Sequence, residues 1–390
     1  MKAKVRLEWV DVLRGILMFL VVYGHYTTVP SVEKYIYSFH MPAFFLISGM
    51  MLAFNKEWRP LRFVWKRIKS LLVPYLLLNL YVVPIWWVNI CNGTADPEPF
   101  WHVFVGIAAS NVRSGYSIAS NTTWFIPCLF VTEMIFFAAK KLLRRDFLVA
   151  AVIPAVSAVM YLTVTSRHTG GGYWHVESAF TAVIFYLAGY LFLKRLDAVK
   201  EMLRRSMARN VLLIGLLYGT GLWFAERNGR VSLIGDYYKI LPYFYLAALS
   251  TSFALVLTMM LLAERGWFSR VFDPAKQVGV TTLPYMAFQV GTIRILRHYI
   301  PFFRADIEWR ILLLSVIFYV AFLPAAKFIQ RFLLPGRKKN AGPAERIRTG
   351  GRRPLRKQPG ILYSGAPFRK GESGRGAGVS LRQKRLSHLR

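Results

Sequence analysis

Ten stretches of apolar residues, each long enough to cross a bilayer, constrain this chain more than any other feature. They cover roughly residues 8–29, 36–54, 70–91, 122–139, 147–164, 178–194, 209–225, 240–263, 279–297 and 310–333. A hydrocarbon core of ~30 Å takes about 20 residues of helix, so each stretch predicts a transmembrane helix. Most carry Tyr, Trp or Phe near an end, as an interfacial belt requires. The chain is 55% apolar and 15% aromatic, with a positive mean hydropathy, which argues against a soluble globular protein. The predicted class is an all-α, polytopic membrane protein.

Loop charge tests the count independently, because cytoplasmic loops hold an excess of Lys and Arg. With the N-terminus inside, the inner segments hold 22 basic residues and the outer loops nine. The charge alternation therefore predicts ten spans with both termini cytoplasmic, and the expected location is the plasma (inner) membrane. Met1 opens a short basic segment that reads as an uncleaved signal anchor. The longer loop around 92–121 contains a candidate re-entrant piece from Phe100 to Ala109.

The net charge of +32 resembles a nucleic-acid footprint in size but not in distribution. Sixteen Lys and Arg follow Leu334, against Glu345 and Glu372, so the last segment alone contributes +14. Two domains follow: a membrane domain over 1–336 and a basic cytoplasmic tail over 337–390, rich in Gly, Pro, Ser and Arg and without apolar periodicity. Anionic lipid headgroups are the expected contact of that tail, and no nucleic-acid partner is expected. Cys91 and Cys128 are the only cysteines, too few for a disulfide framework or a metal-ligand pattern.

Ionisable residues inside the spans point to chemistry, because a charge at mid-membrane costs at least ~2.5 kcal/mol. Arg14 and His25 both lie in the first apolar run. Eleven residues at 100° each bring them within 20° of one helical stripe, about 16 Å apart along the axis. His40 stands near the external mouth of the second span, one short hairpin loop from His25, with Pro42 suited to a first helical turn and Gly49 permitting close helix approach. Before the third span, Arg59, Arg62, Lys66, Arg67 and Lys69 form a basic cluster in which Arg62 and Lys66 are i, i+4 neighbours. Such a cluster suits a polyphosphate ligand, or serves topology alone. Arg14 has the alternatives of snorkelling inward or pairing with Asp11 at i, i+3, and His40 that of a satisfied core histidine.

The run from Asp11 to Gly15, the ten positions between Arg14 and His25, FHMPAFFLISG from Phe39 and the KRIKSLLVPY run resemble the integral-membrane acyltransferase 3 family. The similarity is dense over residues 8–80 and fainter at Trp124-Phe125-Ile126-Pro127. The resemblance implies O-acetylation of bacterial surface polysaccharides, with a fucose O-acetylase-like flavour. It carries Arg14 and His25 onto an essential Arg-x10-His pair, His40 onto a second-span histidine and Arg67 onto the basic position before the third span. In VGVTTLPYMAFQV, from Val278 to Val290, the family commonly places a histidine where this chain has Gln289, which cannot carry a proton at neutral pH.

What the resemblance implies fits the residues. An alcohol is a poor nucleophile until its proton is leaving, and an imidazole is suited to remove it. The expected reaction transfers an acetyl group from acetyl-CoA to a sugar hydroxyl of a glycan or its lipid-linked precursor, without a metal. His25, Arg14 and His40 are the expected catalytic residues, and Arg62, Lys66 and Arg67 the expected dock for the donor's phosphates. Trp101, His102, Tyr116, Tyr173, Trp174, His175, Tyr237 and Tyr238 are candidate sugar platforms or belt anchors. A secondary transporter or lipid-linked sugar flippase using His25, His40, Arg14 and Glu133 is the alternative, although spans 6–10 show no counterpart of the Arg-x10-His stripe.

Overall fold

The computed structural model describes residues 7–55, 58–80, 82–91, 99–110, 122–167, 172–267, 270–304 and 306–334. The expected tail over 337–390 and Tyr116 lie outside the described residues. The described residues are helical, and their only strand-like pairing is an isolated bridge between Ser232 and Tyr237. The helices run α1 Glu8–Gly24, α2 Pro30–Ala53, α3 Pro60–Arg67, α4 Val73–Asn79, α5 Val82–Cys91 and α6 Trp101–Ala109. They continue as α7 Phe125–Leu143, α8 Asp146–Thr163, α9 Val176–Lys194, α10 Leu196–Arg205 and α11 Met207–Asn228. The last five are α12 Leu241–Glu264, α13 Asp273–Val280, α14 Thr282–Tyr299, α15 Glu308–Ala321 and α16 Leu323–Phe332.

Among the described residues, five helical segments are long and apolar enough to cross a membrane, and the pair α15–α16, bent by 41°, makes a sixth. The other predicted spans correspond to helices that are shorter, interrupted or more charged. Helix α1 has 17 residues, and α7 carries Glu133, Lys140 and Lys141. The stretch expected to run unbroken over 70–91 starts in a π-helical turn, Ile68–Leu72, and breaks between α4 and α5. Pro74 accounts for the turn: it has no N–H to offer the carbonyl one turn back, so the hydrogen-bond ladder widens there. The expected re-entrant piece forms the short helix α6.

Burial separates the helices into a core and a lipid-facing shell. Over its most apolar window α2 is 78% buried, whereas α11 is 11% buried. The exposed positions of α8 and α11 include Val152, Val156, Val159, Leu162, Leu212, Leu216 and Leu222. A spanning-length helix with such an outer face belongs in lipid, where helical backbone leaves no polar group unsatisfied.

Small residues set the core contacts. A Cβ on Gly49 would lie 1.9 Å from the Tyr186 carbonyl oxygen, and one on Gly189 would lie 1.9 Å from that of Leu46, so α2 and α9 touch backbone to backbone. Helices α1 and α13 do the same, Gly15 against Ala275 and Gly279 against Asp11, with 1.9 and 1.7 Å for the corresponding Cβ positions. Gly49 thus has the role its sequence context suggests.

Candidate active site

The apolar run that carries Arg14 and His25 does not form one helix to its end. Val29 is extended, as a residue before proline prefers, and Pro30 opens α2, so α1 stops at Gly24 and His25 caps it. His25 is therefore exposed at the helix end rather than enclosed in the run. The same early start corrects the reading of Pro42. It lies well inside α2, not in a first turn, and leaves the Ser38 carbonyl without its usual helical donor.

The hairpin brings the two histidines together through a residue the sequence reading passed over. The Tyr37 hydroxyl lies 3.2 Å from His25 Nδ1, and the two rings meet edge to face at 6.1 Å. On its other side the Tyr37 ring lies 5.1 Å from that of His40. Tyr37 precedes His40 by three positions on one helical face, which is the signal that could have found it. His40 is buried, and its Nδ1 donates to the Ile36 carbonyl at 2.7 Å. A carbonyl only accepts, so that nitrogen carries the proton and Nε2 of the neutral ring keeps its lone pair.

His25, Tyr37 and His40 line a cavity of about 260 Å³ together with Trp124, Arg230, Met286 and Gln289. Trp124 comes from the faint WFIP match. Arg230 reaches in from the segment between α11 and α12, its guanidinium 5.7 Å from the Tyr37 ring centre and 2.9 Å from Glu33. Gln289 follows Tyr285 by four residues in α14; it is buried, and its Oε1 has no hydrogen-bond partner among the described residues. Tyr285 donates to the Tyr319 carbonyl at 2.6 Å, and Tyr319 donates to the Gly15 carbonyl at 2.9 Å. This relay ties α14 and α15 to the middle of α1.

Helix α15 also grips the C-terminal end of α1. Glu308 accepts from Thr27 Oγ1 at 2.7 Å, from the Thr28 backbone N–H at 2.8 Å, from Thr28 Oγ1 at 2.7 Å and from the Tyr23 hydroxyl. Both flanks of His25 are thereby pinned to one carboxylate.

Arg14 lies elsewhere. It is half-buried, eleven residues back along α1, with its Nη1 3.9 Å from Asp11 Oδ1, the i, i+3 pairing anticipated from the sequence. The α3 group is also apart from the histidines. Arg62 and Lys66 are exposed, while Arg67 Nε stands 2.8 Å from the buried carboxylate of Glu133 in α7. Its N–H is not aimed at that oxygen, so the contact is ionic rather than a hydrogen bond. Tyr186 from α9 donates to the other Glu133 oxygen at 3.3 Å. Phe63, stacked 4.1 Å from Phe137, anchors α3 against the same helix. The arrangement has an imidazole cluster at the His25 end of α1 and a cationic helix on another part of the bundle.

Of the candidate sugar platforms, Trp101, Tyr173 and Tyr237 are exposed, but Tyr238 and His175 are buried. Tyr238 donates to Asp236 at 2.9 Å and stacks on Phe244, a packing role in place of the expected surface one.

The comparisons with known proteins agree with the motifs. No curated protein matches the chain. A family model described as an acyltransferase domain matches residues 7–327, which takes in every described helix from α1 through the first half of α16. With more than three-quarters of its length inside that match, this helical membrane protein belongs to the acyltransferase 3 family.

Proposed function

We propose that this acyltransferase moves an acetyl group from acetyl-CoA to a sugar hydroxyl of a cell-surface polysaccharide or its lipid-linked precursor. The observation that carries the reading is the contact of His25 with Tyr37 in the wall of a cavity that also holds His40. When His25 Nδ1 donates its proton to the Tyr37 oxygen, Nε2 keeps the lone pair a general base needs. That base removes the hydroxyl proton as the sugar oxygen attacks the thioester carbonyl. The new C–O bond forms, the C–S bond breaks, and the thiolate of coenzyme A leaves and takes up a proton. His40, its tautomer set by Ile36, offers Nε2 as a hydrogen-bond acceptor beside the same cavity.

The donor's phosphates dock at Arg62 and Lys66 on α3, with Arg67 held in place by Glu133. Arg14, between that side and His25, steadies the negative charge that develops near the thioester. The accompanying layout has ten spans, with interrupted stretches counted as spans, both termini cytoplasmic and the bundle in the plasma membrane. In it the donor arrives from the Arg14 side and the acceptor meets the acyl group near His25. The membrane domain ends near residue 336, and the basic tail beyond it lies along anionic lipid.

The test uses membranes of cells expressing the protein and acetyl-CoA labelled in its acetyl group. Label on the glycan, lost in His25→Ala, supports the proposal. Translocation of unmodified substrate with no label transferred would favour a transporter.

A further inference from the structure

His25 also stands in the wall of a second cavity, of about 370 Å³, which Tyr26, Val290, Arg294 and Arg297 complete. Its volume lies within the ~300–1,000 Å³ of ordinary ligand sites. The wall holds two guanidinium groups, an imidazole and a phenol, and no carboxylate. Arg294 and Arg297 are three residues apart in α14 and share a face. Their situations differ. Arg297 donates to the carbonyls of Phe303 at 3.1 Å and Arg304 at 3.2 Å and pairs with Asp306, so it is committed to folding the chain after α14. Arg294 is exposed, and among the described residues no carboxylate pairs with it. Tyr26 contributes no competing negative charge, since its hydroxyl donates to the Val290 carbonyl at 3.0 Å.

We propose that this cavity binds an oxyanion carried by the acyl acceptor, a phosphate or a carboxylate, with Arg294 as its principal ligand. A guanidinium fork matches either group with two parallel hydrogen bonds. Because His25 borders both cavities, an acceptor anchored by its anion at Arg294 presents a neighbouring hydroxyl to the imidazole from a fixed distance, which removes much of the entropic cost of the encounter. The word acceptor rests on the reading of His25 as the base; the anion site rests on the cavity alone.

The two sources of the anion are a phosphate linking the sugar to a lipid and the carboxylate of an acidic sugar. Inorganic pyrophosphate and glucuronate stand in for them. Binding of each probe is measured by calorimetry on the full chain in nanodiscs at physiological salt. All proteins tested carry Arg62→Gln and Lys66→Gln, so that α3 does not take up the probe. Against this background we compare Arg294, Arg294→Gln, Arg294→Lys and the exposed control Arg227→Gln. At least one probe is expected to bind, with about tenfold weaker binding in Arg294→Gln, a smaller loss in Arg294→Lys and none in Arg227→Gln. Preference for pyrophosphate identifies a phosphate-bearing acceptor, and preference for glucuronate an acidic sugar. Binding of neither probe, or equal binding with and without Arg294, overturns the proposal. No acyl transfer is read, so failure here is distinct from failure of the transferase reading.

Discussion

The Tyr37 hydroxyl and His25 Nδ1, twelve positions apart in the chain, meet at 3.2 Å across the hairpin between α1 and α2. That contact engages one imidazole nitrogen and leaves the other available, and it makes the two residues unequal in a way kinetics can read. Replacing His25 with Ala removes the proposed base and is expected to lower kcat by about 10²–10⁴-fold. Tyr37→Phe removes one hydrogen bond and leaves the imidazole, so the expected loss is about two- to tenfold in kcat with little change in KM. Steady-state transfer of labelled acetyl groups measures both. Equal losses in the two variants would assign Tyr37 a larger role than orientation.

Glu308 holds both flanks of His25 without touching it. Glu308→Gln preserves size but surrenders one acceptor oxygen and the charge behind four hydrogen bonds. Transfer is expected to fall several-fold in kcat while the bundle stays folded, and Glu308→Asp should recover part of the loss. A parallel fall in thermal stability would mean that the clasp serves the fold and not the histidine.

The cations of α3 separate into two groups. Arg62 and Lys66 are exposed, and their replacement by Ala is expected to raise KM for acetyl-CoA, more so at low ionic strength, with the unfolding temperature unchanged. Arg67 faces a carboxylate with only 4% of its side chain exposed. Arg67→Ala strands that charge and is expected to destabilise the bundle by about 3–5 kcal/mol, and the double change Arg67→Met with Glu133→Leu to restore most of it. Unfolding in detergent with and without saturating acetyl-CoA distinguishes the two groups.

Glycine seams give the clearest stability prediction. A methyl group at Gly15 or Gly279 would lie within 2 Å of a peptide oxygen on the partner helix, so Ala at either position forces α1 and α13 apart. Overpacking of this kind costs about 1–3 kcal/mol or more. Gly215 and Gly219 of α11 have no neighbour within 4 Å, and Ala there is expected to be neutral or stabilising by up to about 1 kcal/mol. Thermal unfolding of the four single variants in one detergent is the measurement; similar temperatures for all four would contradict the seam.

The sequence showed where helices lie because apolar runs and their aromatic ends are local signals. It also placed His25 near His40, since a hairpin leaves little choice. Tyr37 was available by its i, i−3 relation to His40 but carries no charge to draw attention. Pro74 was a local sign of the interrupted third stretch, hidden by the hydropathy of its neighbours. Arg67 and Glu133 are a different case. Nothing near either residue in the chain signals the other, and their pairing follows from the packing of the Arg67 segment on α7, where Phe63 and Trp58 both stack on Phe137. Arg230 likewise reaches the cavity through the return of a loop, a tertiary fact with no local signature.

The seam between α1 and α13 has a mechanical corollary. Only Thr281 separates α13 from α14, so the helix that His25 caps and the helix bearing Gln289 and Arg294 are joined through peptide-to-peptide contact and a one-residue link. When the surrounding bilayer thickens or thins, such a unit tilts as one body, and the gap between imidazole and guanidinium keeps its width. Activity reconstituted in lipids of different acyl length should therefore vary with how readily substrates reach the site, not with the geometry inside it.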